Sequence, residues 1–175
     1  MYILVVILLL ISGYSVFFIH QFINIIFKGY APLVSTDKGT ITTIIEALDI
    51  KKDPIVYELG CGQAKFLKTV EQLFPSTKLI GIENLTIIFL LNRLKLGLSD
   101  SKIKLILADF FKVNLKEADI IYCYLNNETM KCLGDKFKQE SKKGTQIISR
   151  SFPIPQFSPE RVITIKNKTV YFYQI

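Results

Sequence analysis

Three short stretches of this sequence set acids beside glycines or aromatic rings in a way that suits an adenosine-containing ligand. The first is Tyr57-Glu58-Leu59-Gly60-Cys61-Gly62-Gln63-Ala64. Gly60 and Gly62 permit a tight turn and close approach of a ligand to the backbone. A helix starting after them offers its first amides to negative charge. The second is Gly81-Ile82-Glu83-Asn84, whose carboxylate can accept hydrogen bonds from two ribose hydroxyls. The third is Ala108-Asp109-Phe110, an acid for the edge of an adenine and a ring for its face. Singly, a glycine pair reads as a turn and an acid after a strand as a solvated loop or cap. Together the stretches supply the parts of one site in order, and Glu58, Gly60, Cys61, Gly62, Glu83, Asn84, Asp109 and Phe110 are its candidate binding residues.

Other chemistries are poorly supplied. His20 is the only histidine and lies in the apolar head of the chain, which argues against His-based triads and most zinc hydrolase sites. Cys61, Cys123 and Cys132 form no CxxC pair, so they read as reduced thiols with no metal to hold. The dinucleotide fingerprint G-x-G-x-x-G fails because Lys65 takes its last place. A P-loop is missing too, and the chain has no room for a second mononucleotide-binding half.

The elements that must position the three stretches follow from spacing. Ile55–Leu59, Lys78–Ile82, Ile103–Leu107, Ala118–Tyr124 and Thr145–Ser149 are short apolar runs that read as strands. Thr40–Leu48, Ala64–Phe74 and Leu85–Leu96 have helical spacing of apolar residues. Asn127 is placed to cap a further helix running to about Ser141. This alternation predicts a parallel sheet with helices on both faces, which puts the three acidic stretches at the carboxyl ends of neighbouring strands. The tail differs: Arg161–Lys166 and Thr169–Tyr173, separated near Asn167-Lys168, read as an antiparallel hairpin.

The E-x-G-x-G run, the acids after the second and third strands and the terminal hairpin resemble the class I S-adenosylmethionine-dependent methyltransferases. The resemblance implies an α/β, Rossmann-like seven-stranded sheet of order 3-2-1-4-5-7-6 with strand seven antiparallel, and S-adenosyl-L-methionine as cofactor. That family usually has a third glycine where Ala64 stands here. Ala31-Pro32-Leu33-Val34-Ser35-Thr36, Ser151-Phe152-Pro153-Ile154-Pro155-Gln156-Phe157-Ser158-Pro159 and Thr169-Val170-Tyr171-Phe172-Tyr173 look more narrowly like the small membrane-anchored lysine methyltransferases of the ATP synthase c-subunit and adenine nucleotide translocase, and their prokaryotic relatives. Departures are Ser35 in place of a proline, and Ser151 between Arg150 and the F-P pair. On this resemblance Ser35 and Thr36 belong to a lid over the cofactor, a plain helix cap being the alternative; the two aromatics and three prolines of Phe152–Pro159 favour a rigid rim beside the target side chain over an inert linker.

Methyl transfer to an amine needs no strong base, only groups that orient the nucleophile and strip its water. After the fourth strand come Tyr124, Asn126, Asn127 and Glu128. Asn127 reads as the helix cap and Glu128 as a first-turn acid, which leaves Tyr124 and Asn126 as the candidate catalytic residues.

The chain has 175 residues, 22 Lys+Arg against 15 Asp+Glu and a net charge of +7, with a mean hydropathy of +0.34. These properties separate along it. Residues 1–27 contain no charged side chain, and Lys28 is the first basic one. Tyr2–Ile19 would span about 27 Å as a helix, close to a bilayer core. No basic residue precedes the run and no small-x-small cleavage site follows it, which speaks against a signal peptide. The expected organisation is a transmembrane anchor over residues 1–27 and a methyltransferase domain over 28–175. Lys28, Lys38, Lys51 and Lys52 place that domain in the cytoplasm by the positive-inside rule. The reading is therefore a single-pass membrane enzyme with a membrane-protein substrate. A lipid, small-molecule or RNA acceptor is the alternative, as is a non-catalytic binding module. The absence of an arginine-rich or aromatic-interleaved basic segment ranks nucleic acid lowest.

Overall fold

The computed structural model describes residues 2–28, 36–50 and 53–175. Its contacts divide the chain into two compact units, Met1–Val34 and Ser35–Ile175.

In the first unit a single helix, α1, runs over Tyr2–Lys28. Every residue from Tyr2 to Ile11 is exposed, so apolar side chains cover all faces of the helix rather than one stripe. The stretch Tyr2–His20 has a mean hydropathy of 2.6, and none of it is buried against protein. Its few hydroxyls are handled internally: Ser15 Oγ donates to the Ile11 carbonyl at 2.9 Å, the usual way a helix satisfies a serine away from water.

The second unit is built on β1 (Ile55–Leu59), β2 (Lys78–Glu83), β3 (Lys104–Leu107), β4 (Ile120–Cys123), β5 (Gln146–Arg150), β6 (Arg161–Ile165) and β7 (Lys168–Gln174). They form one sheet of order β3-β2-β1-β4-β5-β7-β6. β1 to β5 run parallel, and β7 runs antiparallel to both β5 and β6. The helices are α2 (Lys38–Glu46), α3 (Lys65–Leu73), α4 (Thr86–Gly97) and α5 (Asn127–Glu140). All four residues of β4 are buried, as expected for a parallel strand covered on both faces. Edge strand β3 is only partly covered.

The register sets the working edge. Leu59 lies opposite Ile82 and Cys123, Glu83 opposite Leu107, and Cys123 opposite Ser149, so five strand ends finish side by side. Gly81 makes the middle of this edge possible. A Cβ there would come within 2.9 Å of both Cys61 Sγ and Leu105 Cδ2.

Two boundaries differ from the spacing argument by one residue. The hairpin turn is Lys166-Asn167, both left-handed at φ 49° and 61°, the conformation a two-residue hairpin of matching twist requires. The cap of α5 is Asn126, whose Oδ1 accepts from the Thr129 amide at 2.8 Å; Asn127 is the first helical residue and is exposed. α2 is capped by Asp37, which accepts from the Thr40 amide and hydroxyl and pairs with Lys166 at 2.8 Å. These contacts hold the Asp37 carboxyl well below the usual carboxylate range, the lysine contributing most.

Candidate active site

The β1–β2–β3 side of the edge is wired through backbone amides. After β1 the chain turns through Gly60 (φ 68°), Gly62 (φ 49°) and Ala64 (φ 52°), three left-handed residues spaced two apart. Glycine takes this conformation freely, whereas the Ala64 Cβ costs about 1–2 kcal/mol, which accounts for the glycine that the resemblance expects there. Glu83 fastens the turn. Its Oε2 accepts from the Gly62 amide at 2.9 Å, and its Oε1 accepts from the Asn84 and Leu85 amides at 2.9 and 2.8 Å. Leu85 caps α4 without a side-chain hydrogen bond, so Glu83 also serves amides that the helix start leaves over. Asn92 of α4 completes the turn by donating from Nδ2 to the Gly62 carbonyl at 3.0 Å. Its Oδ1 is buried with no partner.

Glu58 lies at the foot of the turn, buried, accepting from the Leu67 amide at 3.4 Å. Desolvation pushes its carboxyl up to about 8, so it is largely neutral at pH 7. The same burial pushes the Cys61 and Cys123 thiols upward, keeping both protonated and unreactive. At the β3 end, Asp109 Oδ1 accepts from the Phe111 amide at 3.0 Å. The Phe110 ring is buried and tilted against Phe111 at 5.0 Å, while Phe111 keeps an exposed face. The eight residues expected to bind the ligand thus gather at three adjacent strand ends.

The β4–β5 side is wired through long-range side-chain contacts. Tyr122 stacks on Phe66 of α3, rings 4.1 Å apart and 7° from parallel, and its hydroxyl meets Thr36 Oγ1 at 3.1 Å. Arg150 donates to the same Thr36 hydroxyl. Its guanidinium carbon lies 4.6 Å from the centre of the Tyr124 ring, a cation–π contact in a desolvated place, and its Nε is buried without a partner. Thr36 therefore joins the sheet and does not cap α2, in keeping with a lid. The Ala31–Ser35 part of that segment lies outside the described residues. Tyr124 is half-buried, whereas Asn126 commits its Oδ1 to the α5 cap. Beyond β5, Ser151 is left-handed at φ 73°. The prolines that follow are pinned by the Ile154 amide donating to the Tyr173 hydroxyl at 2.8 Å and by Gln156 donating to the Lys131 carbonyl at 2.7 Å, which makes that stretch a fixed rim.

Asn92, Tyr122 and the inward course of Arg150 are not predicted from the sequence as parts of the site. Asn92 left a signal: it is polar, yet shares the spacing of the buried Ile88, Phe89 and Leu96. Among the described residues no group of three or more His, Cys, Asp or Glu is placed to hold a metal.

A sheet of this order, with a glycine turn after β1 and acids after β2 and β3, defines the Rossmann-like methyltransferase fold. Solved structures agree on that fold. An RNA methyltransferase from Salinibacter ruber, in complex with S-adenosyl-L-homocysteine, matches with a TM-score of 0.76 at 21% identity over 81% of this chain and 94% of its own. A ribosomal protein L11 methylase from Lactobacillus delbrueckii subsp. bulgaricus matches with a TM-score of 0.64 at 14% identity over 75% and 74%. Residues 58–161 match the ANTKMT methyltransferase domain, and the chain belongs to that family. It is also 28% identical over 152 residues to a protein-lysine N-methyltransferase of Saccharolobus islandicus (strain REY15A), covering 83% of this chain and 94% of that protein. The expected S-adenosyl-L-methionine-dependent methyltransferase is borne out. The residues at the strand ends fit this donor in kind: the turn after β1 is left-handed at Gly60, Gly62 and Ala64, Glu83 sets a carboxylate at the end of β2, and Asn92 Oδ1 is a buried acceptor without a partner on a side chain that bonds the turn.

Proposed function

We propose that this enzyme moves a methyl group from S-adenosyl-L-methionine to a lysine side chain of a protein, working at a membrane. The observation that supports lysine most is the alignment with the Saccharolobus protein-lysine N-methyltransferase across nearly its whole length. It is joined by the half-buried Tyr124 ring, which lies over the Arg150 guanidinium on the acceptor side.

When bound, the donor supplies an activated methyl group on a sulfonium. Gly60, Cys61 and Gly62, with the neutral Glu58 at the foot of their turn, would hold its amino-acid end; Glu83 and Asn84 would hold the ribose, and Asp109 and Phe110 the adenine. Tyr124 walls the path of the incoming amine, and Asn126 fixes the turn that carries Tyr124 into α5. The Arg150 cation beneath Tyr124 disfavours a second cation nearby, so a lysine entering there loses its proton more readily. The first ammonium proton would pass to water, the neutral amine would displace S-adenosyl-L-homocysteine, which leaves with the carbon–sulfur electron pair, and the methylated amine would keep its two protons as a cation.

The membrane part rests on α1, which is long enough, uncharged to Phe27 and, among its described side chains, exposed at all but the half-buried Phe17. With α1 across the bilayer, the positive-inside rule puts the catalytic unit on the cytoplasmic side. Removing Met1–Phe27 is expected to turn an enzyme that only detergent extracts from membranes into one that high salt releases.

Incubating the enzyme with methyl-labelled donor and native membranes tests the substrate. Label in methylated lysine after protein hydrolysis is expected. Label confined to lipid, RNA or a small molecule would overturn the lysine reading.

A further inference from the structure

One helix of the catalytic unit presents large apolar side chains on two opposite faces. Ile88, Phe89, Asn92 and Leu96 of α4 are buried, as a helix covering a sheet requires. Ile87, Leu90, Leu91, Leu94 and the capping Leu98 are not: they are 44%, 55%, 52%, 64% and 82% exposed. Their spacing of three, one, three and four makes a second continuous stripe along the helix. Scattered exposed apolar residues are ordinary, but four on one stripe of a 12-residue helix, continued by its C-cap, form a patch of the kind that marks an interaction surface.

The charges around the stripe state what covers it. Arg93 and Lys95 are the only charged residues within α4, and both are exposed. Lys102 and Lys104, also exposed, follow it, against two acids, Asp100 and the Glu71 carboxylate that accepts from the Ser101 hydroxyl and the Lys102 amide. An apolar stripe beside a basic flank fits the interface of an anionic bilayer, where leucines enter the acyl boundary and the cations meet headgroup phosphates. A second copy of this chain fits poorly. A two-fold contact through α4 would set Arg93 and Lys95 against their own counterparts, with no acid on the helix to pair with them.

From this we infer that the outer face of α4 is a membrane-docking surface of the catalytic unit, seated in the headgroup region of anionic lipid. It goes beyond the anchor proposed above, because it rests on the second unit alone and does not require α1 to span a bilayer. α4 begins three residues after Glu83, so a docked α4 keeps the donor end of the edge close to the lipid surface. Substrate lysines within reach are then those that lie near the headgroups.

The test uses the full chain and an environment-sensitive fluorophore. Cys61 and Cys123 are buried and Cys132 is exposed, so labelling Cys132 on α5 gives the control. Leu94→Cys in a Cys132→Ser background carries the probe to α4. Both proteins are reconstituted with vesicles of phosphatidylcholine, alone or with phosphatidylglycerol, doped with nitroxide-bearing lipid. The α4 probe is expected to shift to the blue and to be quenched severalfold more than the Cys132 probe, and more so with phosphatidylglycerol. Adding Leu90→Glu and Leu91→Glu, both solvent-facing, is expected to remove that difference while circular dichroism stays unchanged. If the α4 probe stays in water while α1 holds the chain on vesicles, docking is overturned and the anchor stands. A blue shift in detergent that grows with protein concentration and ignores lipid would overturn it in favour of self-association.

Discussion

The two sides of the sheet's carboxyl edge are held together in different ways. On the β1–β2–β3 side, groups close in the chain fix one another: Glu83 takes the amides of Asn84 and Leu85 one and two residues on, and that of Gly62 twenty-one residues back. On the β4–β5 side the partners are remote. Arg150 and Thr36 are 114 residues apart, and Tyr122 and Thr36 are 86 apart. The first side, proposed to hold the donor, is built of backbone amides and carboxylates that the local sequence dictates. The second, proposed to face the acceptor, is joined through the Thr36 hydroxyl, which meets both Tyr122 and Arg150. Loss of donor binding and loss of turnover should therefore separate by side.

The largest effect is expected from Glu83→Ala. It removes a charged acceptor from three amides as well as from the proposed ribose contact, and such bonds contribute about 1.5–3 kcal/mol each. Donor affinity measured by calorimetry should fall by about 100-fold or more. Glu83→Gln, which keeps the size, should fall less.

Arg150→Met should do the opposite. It keeps much of the side-chain volume but gives up the Thr36 hydrogen bond and the cation over Tyr124. Donor affinity is expected to stay within about twofold, while kcat drops about tenfold or more, near 1.4 kcal/mol of positioning. Equal losses in both quantities would merge the two sides into one.

A third prediction concerns Glu58, which lies at the seam, opposite Tyr122. Its carboxyl is raised to about 8 in the fold against an ordinary 4.5. Between these values the folded state binds more protons than the unfolded one, so stability falls as pH rises. The contribution is fully present below about pH 4.5 and is lost through about pH 8. Glu58→Gln should flatten the decline in melting temperature over that window, and an unchanged slope would show that Glu58 ionises freely in the fold.

The smallest effect is expected at Ala64. Glycine there relieves a left-handed alanine but gives up a buried methyl, so the net gain in stability should be below about 1 kcal/mol. Donor affinity should rise by no more than a few-fold.

The contrast between the sides also explains what could be read in advance. Strand order and hairpin followed from apolar runs, turn residues and the family resemblance, and Glu83 and the glycine turn followed from local spacing. Asn92 could not be assigned this way, because its partner Gly62 is 30 residues away and only the packing of α4 brings them together. Arg150 failed for the same reason: its place before Ser151 gives no hint that it turns inward to Thr36. The shift of the α5 cap from Asn127 to Asn126 is of another kind. Two adjacent asparagines have equal capping chemistry, and backbone direction at the end of β4 chooses between them.

The most direct test is calorimetric titration of the full chain, folded in detergent micelles, with S-adenosyl-L-homocysteine. One-to-one binding is predicted, strongly weakened by Glu83→Ala and retained by Arg150→Met. A folded chain that binds none of it, or that loses binding equally in both variants, would contradict the account.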